Sequence, residues 1–198
     1  MKKLSDSVQL SNKYLIGEGS KRKCYQHPEI PELCVKVAIK PTIKRRDQNR
    51  GEMIYYELLE KRGVSWDRVA KCYGWIQTNL GQGLVFELIR DKQNRPLPNL
   101  EQQLKANNVD KEEVSRELKS LKQWIIRSAV IVHDLSLANI VYNPDRPEGK
   151  RLILVDGVIN RNLVKLASYI AFLARNKMER SWKRFCRNDL LLYGIRIE

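Results

Sequence analysis

Through the first ninety residues the apolar positions fall in short runs at 13–16, 33–39, 73–78 and 83–89, each bounded by Gly, Pro, Asn or Asp, which predicts hairpin strands. One helical stretch interrupts them at 47–61, where Met53, Tyr56 and Leu59, with Ile54 and Leu58, recur at spacings of three and four. Past residue 90 the pattern changes. Residues 90–98, Arg-Asp-Lys-Gln-Asn-Arg-Pro-Leu-Pro, have the composition of a connector, and helical periodicity then takes over at 100–106 and 109–131. Two β-rich runs, 140–142 and 152–155, flank the turn-rich segment 143–149, and a long helical pattern covers 162–185. The pattern predicts an α+β chain: a small antiparallel β-sheet with one helix in 1–90, joined to a mostly helical half in 91–198 with a β-hairpin set into it. The length of 198 residues suits one domain built of two small lobes.

Composition narrows the class. An apolar fraction of 42% with 30% charged residues describes a folded chain with a real core. Apolar stretches such as 129–132 and 152–155 are far shorter than the roughly 18 residues of a membrane-spanning helix. The start, Met1-Lys2-Lys3-Leu4-Ser5-Asp6-Ser7, has no apolar segment behind its basic pair, so the expectation is a cytoplasmic protein with no transmembrane segment. Cys24, Cys34, Cys72 and Cys186 are scattered and form no Cys-x-x-Cys pair, which predicts reduced thiols and no zinc ribbon or disulfide framework. The formal charge is +14 and gathers in Lys21-Arg22-Lys23, in Lys44-Arg45-Arg46 with Arg50, and in Arg175, Lys177, Arg180, Lys183, Arg184 and Arg187. Such runs are either solvated helix faces or a field for an anionic partner: nucleic acid, an acidic glycan or an anionic membrane surface. Trp182 and Phe185 extend the helical spacing of Leu166, Ile170, Leu173 and Lys177 and read as core. His27 and His133 are too isolated for a metal pair.

Four motifs carry candidate chemistry. Gly17-Glu18-Gly19-Ser20 directly follows a strand, and closely spaced glycines let backbone N–H groups approach phosphate oxygens. No Gly-Lys-Ser/Thr follows, so it is not a Walker loop. Lys36 lies inside the apolar run 33–39; a buried ammonium needs an acidic partner, with Glu52 the first candidate and Glu57 the second. Asp134 and Asn139 have the Asp-x-x-x-x-Asn spacing of a kinase catalytic loop, where the Asp takes the proton of the attacking hydroxyl and the Asn holds a metal ion. The strand 152–155 ends in Asp156-Gly157, a rigidly held hard-oxygen ligand of the kind Mg²⁺ takes. Each motif alone also fits a plain turn or strand; their order along the chain is that of a kinase-like phosphotransferase.

In Gly17-x-Gly19-x-x-x-Lys23-Cys24-Tyr25-x-His27-Pro28, Cys34-Val35-Lys36-Val37, Glu52-x-x-Tyr55-Tyr56 and Ser136-Leu137-Ala138-Asn139-Ile140, the chain resembles the YrbL family (PhoP regulatory network protein) and, more broadly, the protein-kinase-like superfamily. The resemblance implies a two-lobed kinase-like fold with ATP between the lobes. Gly17 and Gly19 would then cover the phosphates, Lys36 would contact them and pair with Glu52, Asp134 would be the base, Asn139 and Asp156 would hold Mg²⁺, and Phe86 and Glu87 would lie at the adenine pocket and hinge. The acceptor would be a hydroxyl of a protein, a glycan or a lipid headgroup. There are departures: Arg22 stands at the third glycine, His133 at the arginine before the catalytic Asp, Ser136 at the lysine two residues after it, and Val158 follows Asp156-Gly157. Besides an active kinase, the sequence leaves open a nucleotide-binding pseudokinase, AMP transfer, and a basic nucleic-acid-binding protein on the same scaffold.

Overall fold

A computed structural model describes residues 6–40, 48–159, 170–195 and 197. The basic cluster Lys44-Arg45-Arg46, the first residues of the chain, Asp47, Leu166 and the first part of the 162–185 helix lie outside the described residues.

The chain is α+β. Six strands, β1 (Ser7–Val8), β2 (Leu15–Glu18), β3 (Arg22–Gln26), β4 (Leu33–Ala38), β5 (Cys72–Thr78) and β6 (Gly81–Glu87), form one sheet in the order β1-β5-β6-β4-β3-β2. The sheet is mixed, not antiparallel throughout, because β1 runs parallel to β5. This strand has two residues, too few to show a period, and the Asn79 side chain pins the segment after it by bonding Leu10 N–H and C=O at 2.7 and 3.0 Å. β3 also escapes the sequence pattern, since it opens on two basic residues. Its register, Cys24 opposite Lys36 and Tyr25 opposite Val35, puts Arg22, Cys24 and Lys36 on one face and Tyr25, Val35 and Val37 on the other. The second face packs into its own apolar cluster with Val8, Leu10, Ile76 and Val85. β4 is therefore covered on both sides, which is why its sequence reads as an unbroken apolar run around Lys36.

Helix α1 (Gln48–Lys61) lies near the first face. Its buried line is Asn49, Glu52, Tyr55, Tyr56 and Leu59, whereas Ile54, read from the sequence as part of the apolar stripe, is exposed. The helix thus brings two polar side chains inward at its start. Beyond the connector, α2 (Leu100–Lys105) begins with an Asn99/Gln102 capping box. α3 (Lys111–Ser128) buries Val114, Leu118, Leu121 and Ile125 and ends on Ala129 with φ 48°. The hairpin of β7 (Ile140–Tyr142) and β8 (Leu152–Leu154) is antiparallel, as the sequence predicts. Helix α4 (Ile170–Phe185) buries Ala174, Met178, Trp182 and Phe185; Trp182 and Phe185 are core, but Leu173 is exposed, one residue off the expected stripe.

A continuous apolar cluster runs from Cys34, Tyr55 and Phe86 through Leu118 and Ile125 to Trp182 and Phe185, so the sheet half and the helical half share a core. Polar ties cross the same seam. Ala70 N–H donates to Leu154 C=O at 2.9 Å, Ile131 N–H to the Tyr55 hydroxyl at 2.7 Å, and the Arg62 guanidinium to Ser128 C=O at 2.6 Å. Among the described residues no helix is long and apolar enough to cross a membrane.

Candidate functional site

A cleft of about 920 Å³ opens between the sheet and the segments 133–139 and 155–157. Gly17, Gly19, Lys36, Glu87, Asp134, Asn139 and Asp156 line it; Glu52 and Phe86 do not, and instead contact Arg22 and Lys36, which do.

The glycine segment is the turn of the β2–β3 hairpin. It is closed by Gly19 N–H donating to Arg22 C=O at 2.9 Å, and Lys21 C=O accepts from Ile39 N–H at 2.9 Å. Neither Gly17 nor Gly19 has a positive φ; a Cβ at Gly17 would meet nothing within 4 Å, and one at Gly19 only Arg22 O at 3.6 Å. The fold itself therefore sets no steric demand for glycine there. Gly157 differs: its φ is +76° and a Cβ would stand 2.5 Å from the Asp134 carbonyl oxygen.

Lys36 is buried, and its ammonium lies 4.4 Å from the Phe86 ring centre. It donates to Val155 C=O at 2.7 Å and sits 3.3 Å from Asp156 Oδ2. This corrects the expected Lys36–Glu52 pair. Glu52 instead receives a forked bond from Arg22, at 2.7 and 2.9 Å, while Glu57 is exposed. The same guanidinium reaches Asp156 at 2.7 and 2.9 Å and Asn49 at 2.9 Å. Asn49 in turn donates to Lys36 C=O at 2.9 Å. Burial by itself would lower the Arg22 pKa, but Glu52 and Asp156 outweigh it and raise it. Burial likewise opposes the ammonium form of Lys36, and Asp156 overcomes this to raise its pKa. Burial would raise Asp156, yet Lys36 and then Arg22 hold its carboxyl well below the usual range.

Asp134 is exposed at the cleft and oriented by Asn139, whose amide donates to the Asp134 carboxylate at 3.0 Å and to its carbonyl at 2.9 Å. His133 N–H donates to Gly157 C=O at 2.8 Å and Val155 N–H to Asn139 C=O at 2.9 Å. The Asp134–Asn139 loop and the Asp156–Gly157 strand end are thus one hydrogen-bonded unit. At the other end of the cleft, Glu87 points to Arg146 at 2.5 Å and to Lys71 N–H at 3.3 Å, while Leu88 and Ile89 line the wall.

The sequence marks Arg22 as part of a basic cluster and as a departure from a glycine pattern, with no sign of a role inside the cleft. The signal that identifies it is the register, which sets it diagonally from Lys36 on one sheet face. Pro96, Leu97 and Gln102 of the connector and α2 also line the cleft unforeseen. Asp189, beyond α4, is pushed up by burial against the pull of the Leu137 amide, with Asp134 adding repulsion. Cys24 and Cys34 both line the cleft, and their mutual influence lowers the Cys24 thiol pKa and raises that of Cys34; all four cysteines are free.

Among the described residues no group of three or more His, Cys, Asp or Glu could hold a metal ion. A family model described as PhoP regulatory network protein YrbL matches residues 8–189. A protein of Escherichia coli (strain K12), Uncharacterized protein YrbL, is 25% identical over 190 residues, covering 95% of this chain and 90% of that protein. The protein of the same name from Shigella flexneri matches with the same identity and coverage.

Proposed function

The chain belongs to the YrbL family, and we propose that its cleft is an ATP site in a two-lobed, kinase-like fold that transfers the γ-phosphoryl group to a hydroxyl acceptor. The observation that carries this reading is convergence. The glycine turn, Lys36, the Asp134–Asn139 loop and Asp156 come from four separate stretches of the chain, yet all face one cleft of about 920 Å³. In such a site little covalent chemistry falls to the protein, and rate comes from positioning and from charge.

The parts divide the work. Gly17 and Gly19 line the cleft without side chains, so a phosphate can come close to the backbone of the turn, and the Lys36 ammonium supplies fixed positive charge to it. Asp134 stands exposed with its carboxylate aimed by Asn139, where it can take the proton of an acceptor hydroxyl. The Asp156 carboxylate and the Asn139 amide oxygen are hard oxygen donors, so by donor type they fit Mg²⁺ held together with substrate phosphates. Bound there, Mg²⁺ would offset charge on the phosphate oxygens. The acceptor is a hydroxyl on a protein, a glycan or a lipid headgroup.

The test is ADP formation, with intact mass, after incubation with Mg-ATP and candidate acceptors. Wild type is expected to form ADP and Asp134→Ala to form it about 10²–10⁴ times more slowly. Equal rates in the two proteins would contradict the reading, and a gain of AMP mass would redirect it to nucleotidyl transfer. A second reading, a nucleotide-binding regulatory module without turnover, is favoured by the guanidinium of Arg22 resting on Asp156. It predicts that ATP raises the melting temperature while no ADP forms.

A further inference from the structure

Asp156 in this structure has all its acceptor positions engaged. Its Oδ1 accepts from Arg22 Nη2 at 2.7 Å and from Gly157 N–H at 2.7 Å; its Oδ2 accepts from Arg22 Nη2 at 2.9 Å and faces Lys36 Nζ at 3.3 Å. Arg22, Lys36, Glu52 and Asp156 together sum to zero charge. The cluster is electrically complete as it stands, which is how buried ionic groups are tolerated.

A divalent cation and a guanidinium both bind through the carboxylate oxygens and repel each other, so they cannot hold this carboxylate together. Arg22 has somewhere else to rest, because its fork to Glu52 and its bond to Asn49 do not involve Asp156. It is also joined to the glycine turn, since its carbonyl receives Gly19 N–H at 2.9 Å. One residue therefore links the three: its backbone carbonyl holds the glycine turn, and its side chain holds helix α1 and the candidate metal ligand.

We propose that Arg22 is an internal competitor for the divalent cation: it holds Asp156 until the ion arrives, and the ion takes Asp156 only as the guanidinium withdraws onto Glu52 and Asn49. Arg22 is a positioning residue in this account, and its effect is to weaken metal binding in the nucleotide-free protein. The inference rests on the reading of the cleft as a Mg²⁺–nucleotide site.

The probe is Mn²⁺ alone, titrated into the full chain without nucleotide and followed by the electron paramagnetic resonance signal of the free ion. Arg22→Gln and the double variant Arg22→Gln/Glu52→Gln, which keeps the buried cluster neutral, are expected to bind Mn²⁺ at least about tenfold more tightly than wild type. Asp156→Asn in the double variant should remove that gain. A merely structural arginine would give no gain, and binding no tighter than wild type, including none at all, overturns the proposal.

Side-chain NMR of Arg22 in wild type tests the same point without any substitution. Its guanidinium protons should exchange faster as Mg²⁺ and a non-hydrolysable ATP analogue are added. Metal binding with their exchange unchanged overturns the proposal. If ATP stabilises the protein but Asp156→Asn binds Mn²⁺ as well as its parent, the competitor role falls and the nucleotide reading stands. If ATP does not bind, both fall.

Discussion

Arg22 and Lys36 meet Glu52 and Asp156 in an exchange of partners that no single motif reveals. With only one lysine inside an apolar run, Glu52 is the natural partner to expect; with β3 in register, a second cation reaches the same face and takes Glu52, leaving Lys36 to Asp156. This arrangement has a pH signature. The folded pKa of Asp156 lies below its ordinary 3.8, so its contribution is complete above about pH 4 and is lost as the pH falls lower. His27 gives an earlier signature. It is buried, its Nδ1 accepts the Glu29 and Ile30 N–H groups at 3.2 and 3.1 Å, and burial lowers its pKa from 6.5. The unfolded chain then binds the proton first, so stability holds above about pH 6.5 and declines below it. Urea unfolding at pH 7.5 and 5.5 should show this loss in wild type and a smaller one in His27→Asn, whose side-chain oxygen can still accept. An equal loss in both would contradict it. At Gly157 a Cβ has no room beside Asp134, so Gly157→Ala should destabilise by about 1–3 kcal/mol and disturb the loop that carries Asp134.

Strands and helices decide how these residues come together, and here the sequence is an uneven guide. Runs with a clear period, such as those now seen as α3, β5 and the β7–β8 hairpin, lie close to where the pattern puts them. β3 was illegible because Arg22 and Lys23 interrupt its alternation, and β1 because two residues have no pattern. The buried line of α1 includes Asn49 and Glu52, which a search for apolar stripes passes over in favour of Ile54. The site motifs were legible because short spacings and strand ends are local; their partners were not, because Arg22 and Asp156 are 134 residues apart. Two measurements belong at this scale. Gly19→Ala should change stability by no more than about 1 kcal/mol, since the turn has space for a Cβ and Gly19 has no positive φ. Its ATP affinity should nevertheless fall, and retention of affinity would remove the glycine turn from the phosphate reading. Tyr55→Phe takes the acceptor from the buried Ile131 N–H and should lower stability by about 1–3 kcal/mol in denaturant titration.

Over the whole molecule, the two halves behave as one body because a single apolar cluster spans them, from Phe86 in the sheet to Trp182 and Phe185 in α4. Trp182→Ala should therefore cost about 3–5 kcal/mol and shift one cooperative melt, although it lies in the helical half; a separate early transition for that half would contradict the shared core. The basic residues of α4 remain on the surface, with Arg175, Arg180, Lys183 and Arg184 exposed, apart from the cleft described above. On the proposed function the cleft, and not this surface, receives ATP. Hydrogen exchange with and without Mg-ATP tests it most directly. Slower exchange is expected together in residues 17–21, the strand carrying Lys36, and residues 133–139 and 155–157. Protection confined to α4, or none anywhere, would contradict the account.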